Sequence, residues 1–326
     1  SSRVRVLVKD TARMGKKPRY KEIDGLVLPP SFDPKVFRDA CAFKPGPDDV
    51  VVATYPKCGT TWTQQVVALI LRKGEPFLKA EEYFNTLPFL EMTTMEELSR
   101  LKKPRCIKTH LPFDRINFSK EAKYIYVARH PIDCVVSFFH HTRFFPIYFF
   151  SDGDFDDYFG LFIEGKVDWN DYFDHLLQWY EHKNEPNVLF LSYESMKKDP
   201  RKVCLEIARF LGKNYYKTVV ENDEEVLKKV LKYSSLEFMK STVNEFWKEH
   251  FSHIPPEDIQ KRNPVIKNYA DLMKEAFKNG EIAIGSFIRK GVVGEGKITL
   301  SKEQLQKLND RILEKTVHSN VMDLWK

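Results

Sequence analysis

No stretch of this chain approaches the ~18 uninterrupted apolar residues of a membrane-spanning helix. Its first twenty residues, SSRVRVLVKDTARMGKKPRY, also lack the apolar core of a secretory leader, so no membrane partner is expected. Cysteine is sparse. Cys41, Cys58, Cys106, Cys134 and Cys204 are odd in number, far apart and without a CxxC pair. Neither a disulfide framework nor a zinc site is indicated, and a reducing, cytoplasmic setting fits. Charge of one sign is not in large excess either: a net charge of +6 suits an anionic small ligand but falls short of a dedicated nucleic-acid binder. Repeats and low-complexity tracts are missing, and 14 glycines in 326 residues exclude a collagen-like rod. What is present, 42% hydrophobic residues with 25 phenylalanines, describes a globular chain with something apolar to enclose besides its core.

Three β-rich apolar runs, Val50 to Thr54, Tyr124 to Ala128 and Val188 to Leu191, read as strands buried on both faces. Each leads into a helical pattern. Trp62, Val66, Leu69 and Ile70 share one helix face, with Thr60 or Thr61 as a cap and Gly74 as a stop. Pro131 with Asp133, and Asp199 with Pro200, mark two further helix starts. Strand followed by helix, three times over, predicts an α/β fold with a central parallel sheet flanked by helices. Arg105 to Thr109 is a shorter candidate strand, and Ser301 with Gln304 forms a capping-box pair ahead of a C-terminal helix over 301–315. Glu245 to Asn263, with Pro255 and Pro256, reads as a loop and candidate lid, and the aspartates at 152, 154, 156 and 157 as a solvated acidic loop. No linker divides the chain, which reads as a single domain over 1–326.

The first strand ends in Tyr55-Pro56-Lys57-Cys58-Gly59-Thr60-Thr61-Trp62. A turn from a buried strand into a helix offers unpaired backbone N–H groups and the positive end of the helix dipole. Gly59 permits close approach, the threonine hydroxyls add donors and Lys57 adds a cation, so the turn reads as a phosphate cradle. An ordinary turn with a solvated lysine would share the pattern. Lys108-Thr109-His110 follows another candidate strand, and ligands in open parallel sheets sit at the carboxyl ends of strands. His110 could serve there as a general base, although a single histidine can equally be a packed one. Arg129 ends a third strand, with Ser137 in the following helix, and Phe287-Ile288-Arg289-Lys290-Gly291 opens a basic, glycine-flanked loop. Two cationic places beside one cradle suggest a ligand with phosphates at two positions.

The Walker pattern is missing, and no strand ends in a metal-binding aspartate, so metal-dependent phosphoryl transfer is poorly supported. His140 and His141 point different ways on a helix and make a poor metal pair. From the residues alone, a group-transfer enzyme, a P-loop nucleotide kinase and a non-catalytic nucleotide-binding protein all remain open.

The string YPKCGTTW, followed in order by KTHLP, ARHPIDCVVSFFH, LSYESM and RKGVVGEGK, resembles the cytosolic sulfotransferase family. The resemblance runs from about Asp24 to about Lys297. It implies an α/β domain with a P-loop-like phosphosulfate-binding loop, which takes the sulfuryl donor 3'-phosphoadenosine 5'-phosphosulfate (PAPS), a small hydroxylated acceptor and no metal. Carried over residue by residue, it puts the 5'-phosphosulfate loop on Lys57, Cys58, Gly59, Thr60, Thr61 and Trp62, the catalytic base on His110 and a second active-site lysine on Lys108. The 3'-phosphate site falls on Arg129, Ser137, Arg289, Lys290 and Gly291, next to Phe287. Adenine contacts fall on Trp62, Tyr193 and the segment Ser234 to Met239, with Ser234 and Leu236 the clearest.

Acceptor walls correspond to Phe32, Phe89, Phe145 and, with changed chemistry, His141, beside Lys108 and His110. Aromatic walls favour a phenolic or catecholamine-like ring. Three departures accompany the resemblance. Cys58 stands where many members have serine, and Gly294-Glu295-Gly296-Lys297 lacks the family's tryptophan. The family's short dimer motif is replaced at Ser301, Lys302 and Gln306, so a monomer, or a dimer through another surface, is expected.

Overall fold

The computed structural model describes residues 4–7 and 15–326. The first twenty residues, read above as lacking a leader's apolar core, therefore lie partly outside the described residues. The chain begins with a three-stranded antiparallel sheet of β1 (Val4–Leu7), β2 (Tyr20–Ile23) and β3 (Leu26–Leu28). Asp24 and Gly25, with φ of 50° and 84°, make the tight turn between β2 and β3.

The central sheet holds β4 (Asp49–Thr54), β5 (Arg105–Thr109), β6 (Lys123–Ala128) and β7 (Val188–Ser192), all parallel, in the order β5-β4-β6-β7. All four expected strands form within a residue of their sequence bounds. Every residue of β4 is buried, and alternation splits it between two cores: Val51 and Ala53 face one, Val50 and Val52 the other. The helix Pro131–Phe144 covers the first face, while helices Thr60–Leu71 and Pro200–Leu211 cover the second. Because the chain leaves β4 for β5 on one side and returns to β6 on the other, the switch point of the sheet lies at the carboxyl end of β4. At the opposite end, Asp49 and Arg105 close the sheet with a buried bidentate pair at 2.6 and 2.9 Å.

Three details differ from expectation. Neither Thr60 nor Thr61 caps its helix: Gly59, at φ 91°, occupies that position without a side-chain cap and leaves the first amides open. Glu245 to Asn263 is mostly helix, because Leu236–Ser252 runs through it and Pro256 starts a new helix at Glu257–Arg262. Only residues 253–256 are a loop. The aspartates are no simple acidic loop either: Asp154 caps the helix Phe155–Ile163 through the Asp157 N–H, with Asp156 and Asp157 in its first turn. Gly74 does close its helix, donating its N–H to the Leu69 carbonyl at 2.7 Å. The C-terminal helix spans Lys302–Thr316 with the expected Ser301/Gln304 capping box. Among the described residues no helix is long and apolar enough to cross a membrane.

Candidate active site

One cleft of about 1210 Å³ opens over the carboxyl ends of β4, β5 and β6. It exceeds the ~300–1,000 Å³ usual for a single small ligand, as a cleft for two substrates would. At its floor the loop after β4 turns under the strain of a left-handed Lys57, φ 67°. The first hydrogen-bonded amide of the following helix is Thr63, which donates to the Gly59 carbonyl at 3.0 Å. The amides from Lys57 to Trp62 receive no acceptor from the described residues, so they form an anion-binding end. The Thr60 hydroxyl is 2.5 Å from that of Thr54. A Cβ at Gly59 would stand 3.0 Å from the Tyr193 ring, which is why the loop can lie this close to its neighbour.

Burial and the neighbouring Arg129, Arg289 and Lys108 push Lys57 down to about 7. Such a crowd of cations is an electrostatic request for a polyanion, whose arrival would favour their charged forms. Arg129 reaches Lys57 O at 3.1 Å and Val292 O at 3.2 Å, stacks over Tyr193 at 4.2 Å, and keeps a buried Nε without a partner. Arg289 meets Glu295 at 2.8 and 2.5 Å, and Lys290 meets it at 3.2 Å. The loop carrying these cations is anchored by Asp133, whose two oxygens accept from Gly294 and Gly296 at 2.8 Å each. Gly296 packs so tightly that a Cβ would fall 2.2 Å from Ile132 O, so the larger residue missing there would not fit this arrangement.

His110 directly follows β5, the strand next to β4. Its Nδ1 lies 2.8 Å from the Thr54 carbonyl, which can only accept, so Nδ1 carries the proton and Nε2 keeps its lone pair. Burial, then Lys108, holds this imidazole well below the usual histidine range, in its neutral form. His175 Nε2 donates to the His110 carbonyl at 2.9 Å while its own Nδ1 accepts from Tyr126 Oη at 2.9 Å. Rings enclose the site: Phe89 and Trp169 stand 5.2 and 4.9 Å from His110, and Phe32 is 5.9 Å from Phe89.

All the residues expected at the site line this one cleft except Cys58. Of the residues expected to hold the donor, Lys57, Gly59, Thr60, Thr61, Trp62, Arg129, Ser137, Tyr193, Ser234, Leu236, Met239, Phe287, Arg289, Lys290 and Gly291 are brought together from segments far apart in sequence. Phe32, Phe89, Lys108, His110, His141 and Phe145 gather beside it. Cys58 belongs to the loop, but its thiol turns inward, 3.7 Å from Pro56 O and 3.8 Å from the Cys134 thiol. A side-chain contact from Cys58 to a ligand is therefore replaced by what its backbone can offer. Sequence reading missed Thr54, Glu91, Trp169 and His175, all of which touch His110, because only the fold brings them there. Residues 253–256, between the two helices, line the cleft mouth with Asn263, which donates to Met92 O and Glu97 Oε2 at 2.9 Å each.

A family model described as "Sulfotransferase domain" matches residues 47–320. Human sulfotransferase 1C2 is 31% identical over 329 residues, covering 96% of this chain and 99% of that protein. Among solved structures, mouse sulfotransferase SULT7A1 complexed with PAP superposes with a TM-score of 0.66 at 25% identity, over 94% of this chain and 97% of that one. Retinol dehydratase in a complex with retinol and PAP gives 0.63 at 25% identity, over 92% and 91%. With the family model spanning its sheet, its cradle and both cationic loops, this chain belongs to the sulfotransferase family and is a PAPS-dependent sulfotransferase.

Proposed function

We propose that the enzyme moves the sulfuryl group of PAPS to the hydroxyl of a small aromatic acceptor, phenol- or catecholamine-like, with His110 as general base. The observation that carries this reading is the fixed tautomer of His110. Its Nδ1–H is spent on Thr54 O, so the free Nε2 is the nitrogen able to take a proton. PAPS, when bound, supplies an activated sulfuryl group and a phosphate leaving group. The amides after β4 and Lys57 hold the 5' end, and Arg129, Ser137, Arg289, Lys290 and Gly291 hold the 3'-phosphate. The buried Arg129 Nε without a partner fits a ligand oxygen at that place. Tyr193, Trp62 and the Ser234–Met239 segment enclose the adenine. His110 accepts the acceptor proton, and Lys57 and Lys108 offset negative charge that grows on the bridging oxygen and the moving group.

The ring box of Phe32, Phe89 and Trp169 around His110 supports a flat acceptor, since burial and edge contacts both reward one. We place the enzyme in the cytoplasm, where its five free cysteines would stay reduced. Residues 1–326 act as one domain in this reading. Turnover of PAPS with 4-nitrophenol in the absence of magnesium tests it. Transfer of sulfate supports the reading, and a strict magnesium requirement or nucleotide binding without transfer would overturn it.

A further inference from the structure

Glu91 is wholly buried within a polar layer directly beneath the proposed base, yet nothing in the reaction described above uses it. It sits on the single turn Leu90–Met92, and the segment before that turn runs beside the end of β5. Phe89 pairs with Lys108 in a parallel bridge, and the Lys108 N–H donates to Pro88 O at 2.9 Å. The carboxylate then takes the next two positions of the strand in order. Oε1 accepts from the Thr109 hydroxyl at 2.5 Å, and Oε2 accepts from the His110 N–H at 3.0 Å. The Thr109 oxygen in turn accepts from the Leu111 N–H at 3.1 Å. Both carboxylate oxygens thus face donors, a pattern that an ionised acid satisfies and an amide cannot fully match. The residue immediately before these two anchors is Lys108, whose ammonium lies 4.4 Å above the Phe89 ring inside the cleft.

We infer that Glu91 is a positioning residue of the transfer reaction: its carboxylate fixes the Thr109 hydroxyl and the His110 N–H and is the buried counter-charge of the Lys108 ammonium. The inference rests on the roles given above to His110 and Lys108. Burial pulls Lys108 down to about 8, against which Glu91 acts to keep its proton. Burial raises Glu91 to about 7, and the bonds from Thr109 and His110 and the charge of Lys108 oppose that rise. Other titratable groups face this pair. Lys57, His110 and His141 all feel the charge of Lys108 from the cleft side, and Cys41 faces Glu91 from the helix Pro34–Ala42. Among these groups Glu91 is the anion that favours the charged form of Lys108.

The test is the pH profile of kcat at saturating PAPS, where the donor's own negative charge keeps Lys57 protonated. Glu91→Gln removes the counter-charge at nearly constant shape. Its alkaline limb should move to lower pH by half a unit or more, kcat near pH 7.5 should fall roughly 10-fold, and acidification should restore part of it. Affinity for the desulfated nucleotide, read by calorimetry, should stay within about two-fold because the nucleotide site is elsewhere in the cleft. Glu91→Asp keeps the charge but shortens its reach, so its limb should stay in place while kcat falls.

A Glu91→Gln profile with an unshifted limb, whatever its height, would show a purely structural carboxylate and overturn the inference. If Glu91→Gln fails to fold, Glu91→Asp decides: wild-type kcat in that variant would overturn the positioning role. Failure of the unmodified enzyme to transfer sulfate at all would instead remove the reading of His110 and Lys108, and this inference with it.

Discussion

Arg129 Nη1 donates to the carbonyl of Lys57 at 3.1 Å, joining the end of β6 to the loop after β4. Lys57 is in the left-handed region, where a non-glycine residue needs support, and this bond supplies it. The same guanidinium holds Val292 O and so a third loop. One side chain therefore shapes the cradle and, in the function proposed above, offers its unpartnered Nε to the 3'-phosphate.

That double attachment separates two cations that the sequence pattern alone would treat alike. Arg129→Ala should weaken nucleotides with and without a 3'-phosphate, the former more. Lys290 is mostly exposed and, among the described residues, is bonded only to Glu295, so Lys290→Ala should weaken only the 3'-phosphorylated nucleotide. For Arg129 the additional loss should be ~10- to 150-fold, the ~1.5–3 kcal/mol of a charge-assisted contact, and less for Lys290. Calorimetry with 3',5'-bisphosphoadenosine and with 5'-AMP measures both. Equal losses for the two ligands in Lys290→Ala would move that lysine out of the 3' site.

His110 gives a prediction with a sign. As the proposed base it works when neutral, so activity should be present above its pKa and be lost as pH falls through it. Because burial and Lys108 hold that pKa well below the usual value, the acid limb of kcat/KM should lie below about 6.5. His110→Ala should lower single-turnover transfer by ~10²–10⁴-fold with nucleotide affinity near normal. An acid limb above 6.5, or a variant keeping more than about a tenth of the rate, would assign the proton to another group.

Three strands of the parallel sheet were legible as apolar runs ahead of helix signals, while β5, which carries Arg105 and Lys108, was legible only as a shorter candidate. The cradle and Arg129 were legible because each lies just past such a run, and His110 because it follows the candidate strand Arg105–Thr109. The antiparallel hairpin was not foreseen, although Asp24-Gly25 between Tyr20–Ile23 and Leu26–Leu28 is a turn signal; its strands are only four and three residues long. Helix continuity through Glu245 was obscured by Pro255 and Pro256, which end a helix after Ser252 rather than prevent one. Glu91 and His175 carried no local signal at all. A carboxylate on a one-turn helix and a histidine in an aromatic helix acquire meaning only when β5 runs past them.

His141 interrupts the aromatic wall of the cleft on the side proposed for the acceptor. Its ring packs 4.8 Å from Phe145 and 6.0 Å from Phe287, and its buried Nδ1 has no hydrogen-bond partner. Burial, then Lys57 and His110, hold it well below the usual histidine range, so it is a neutral polar group in an apolar wall. An acceptor with a second oxygen should gain from it. His141→Phe should shift kcat/KM from catechols toward simple phenols by roughly 10-fold, about one hydrogen bond. Parallel assays with catechol and phenol check the ratio, and an unchanged ratio would leave His141 as a packing residue only.

A prediction for the oligomeric state follows from residues that already have partners within the chain. The Ser301 hydroxyl caps the C-terminal helix by accepting from the Gln304 N–H at 3.1 Å, and Gln304 Oε1 accepts from the Ser301 N–H at 3.0 Å. Gln304 Nε2 also reaches Asp156 at 2.6 Å, and Gln306 Nε2 reaches Asp310 at 2.8 Å. Lys302, between them, is exposed, and burying its charge in a small apolar contact would cost more than so little area returns. The protein should therefore sediment as a monomer at micromolar concentration, or as a dimer insensitive to this segment. Sedimentation equilibrium of the wild type and of Lys302→Glu decides between the outcomes. A stable dimer that Lys302→Glu dissociates would show that this segment pairs despite its changed residues.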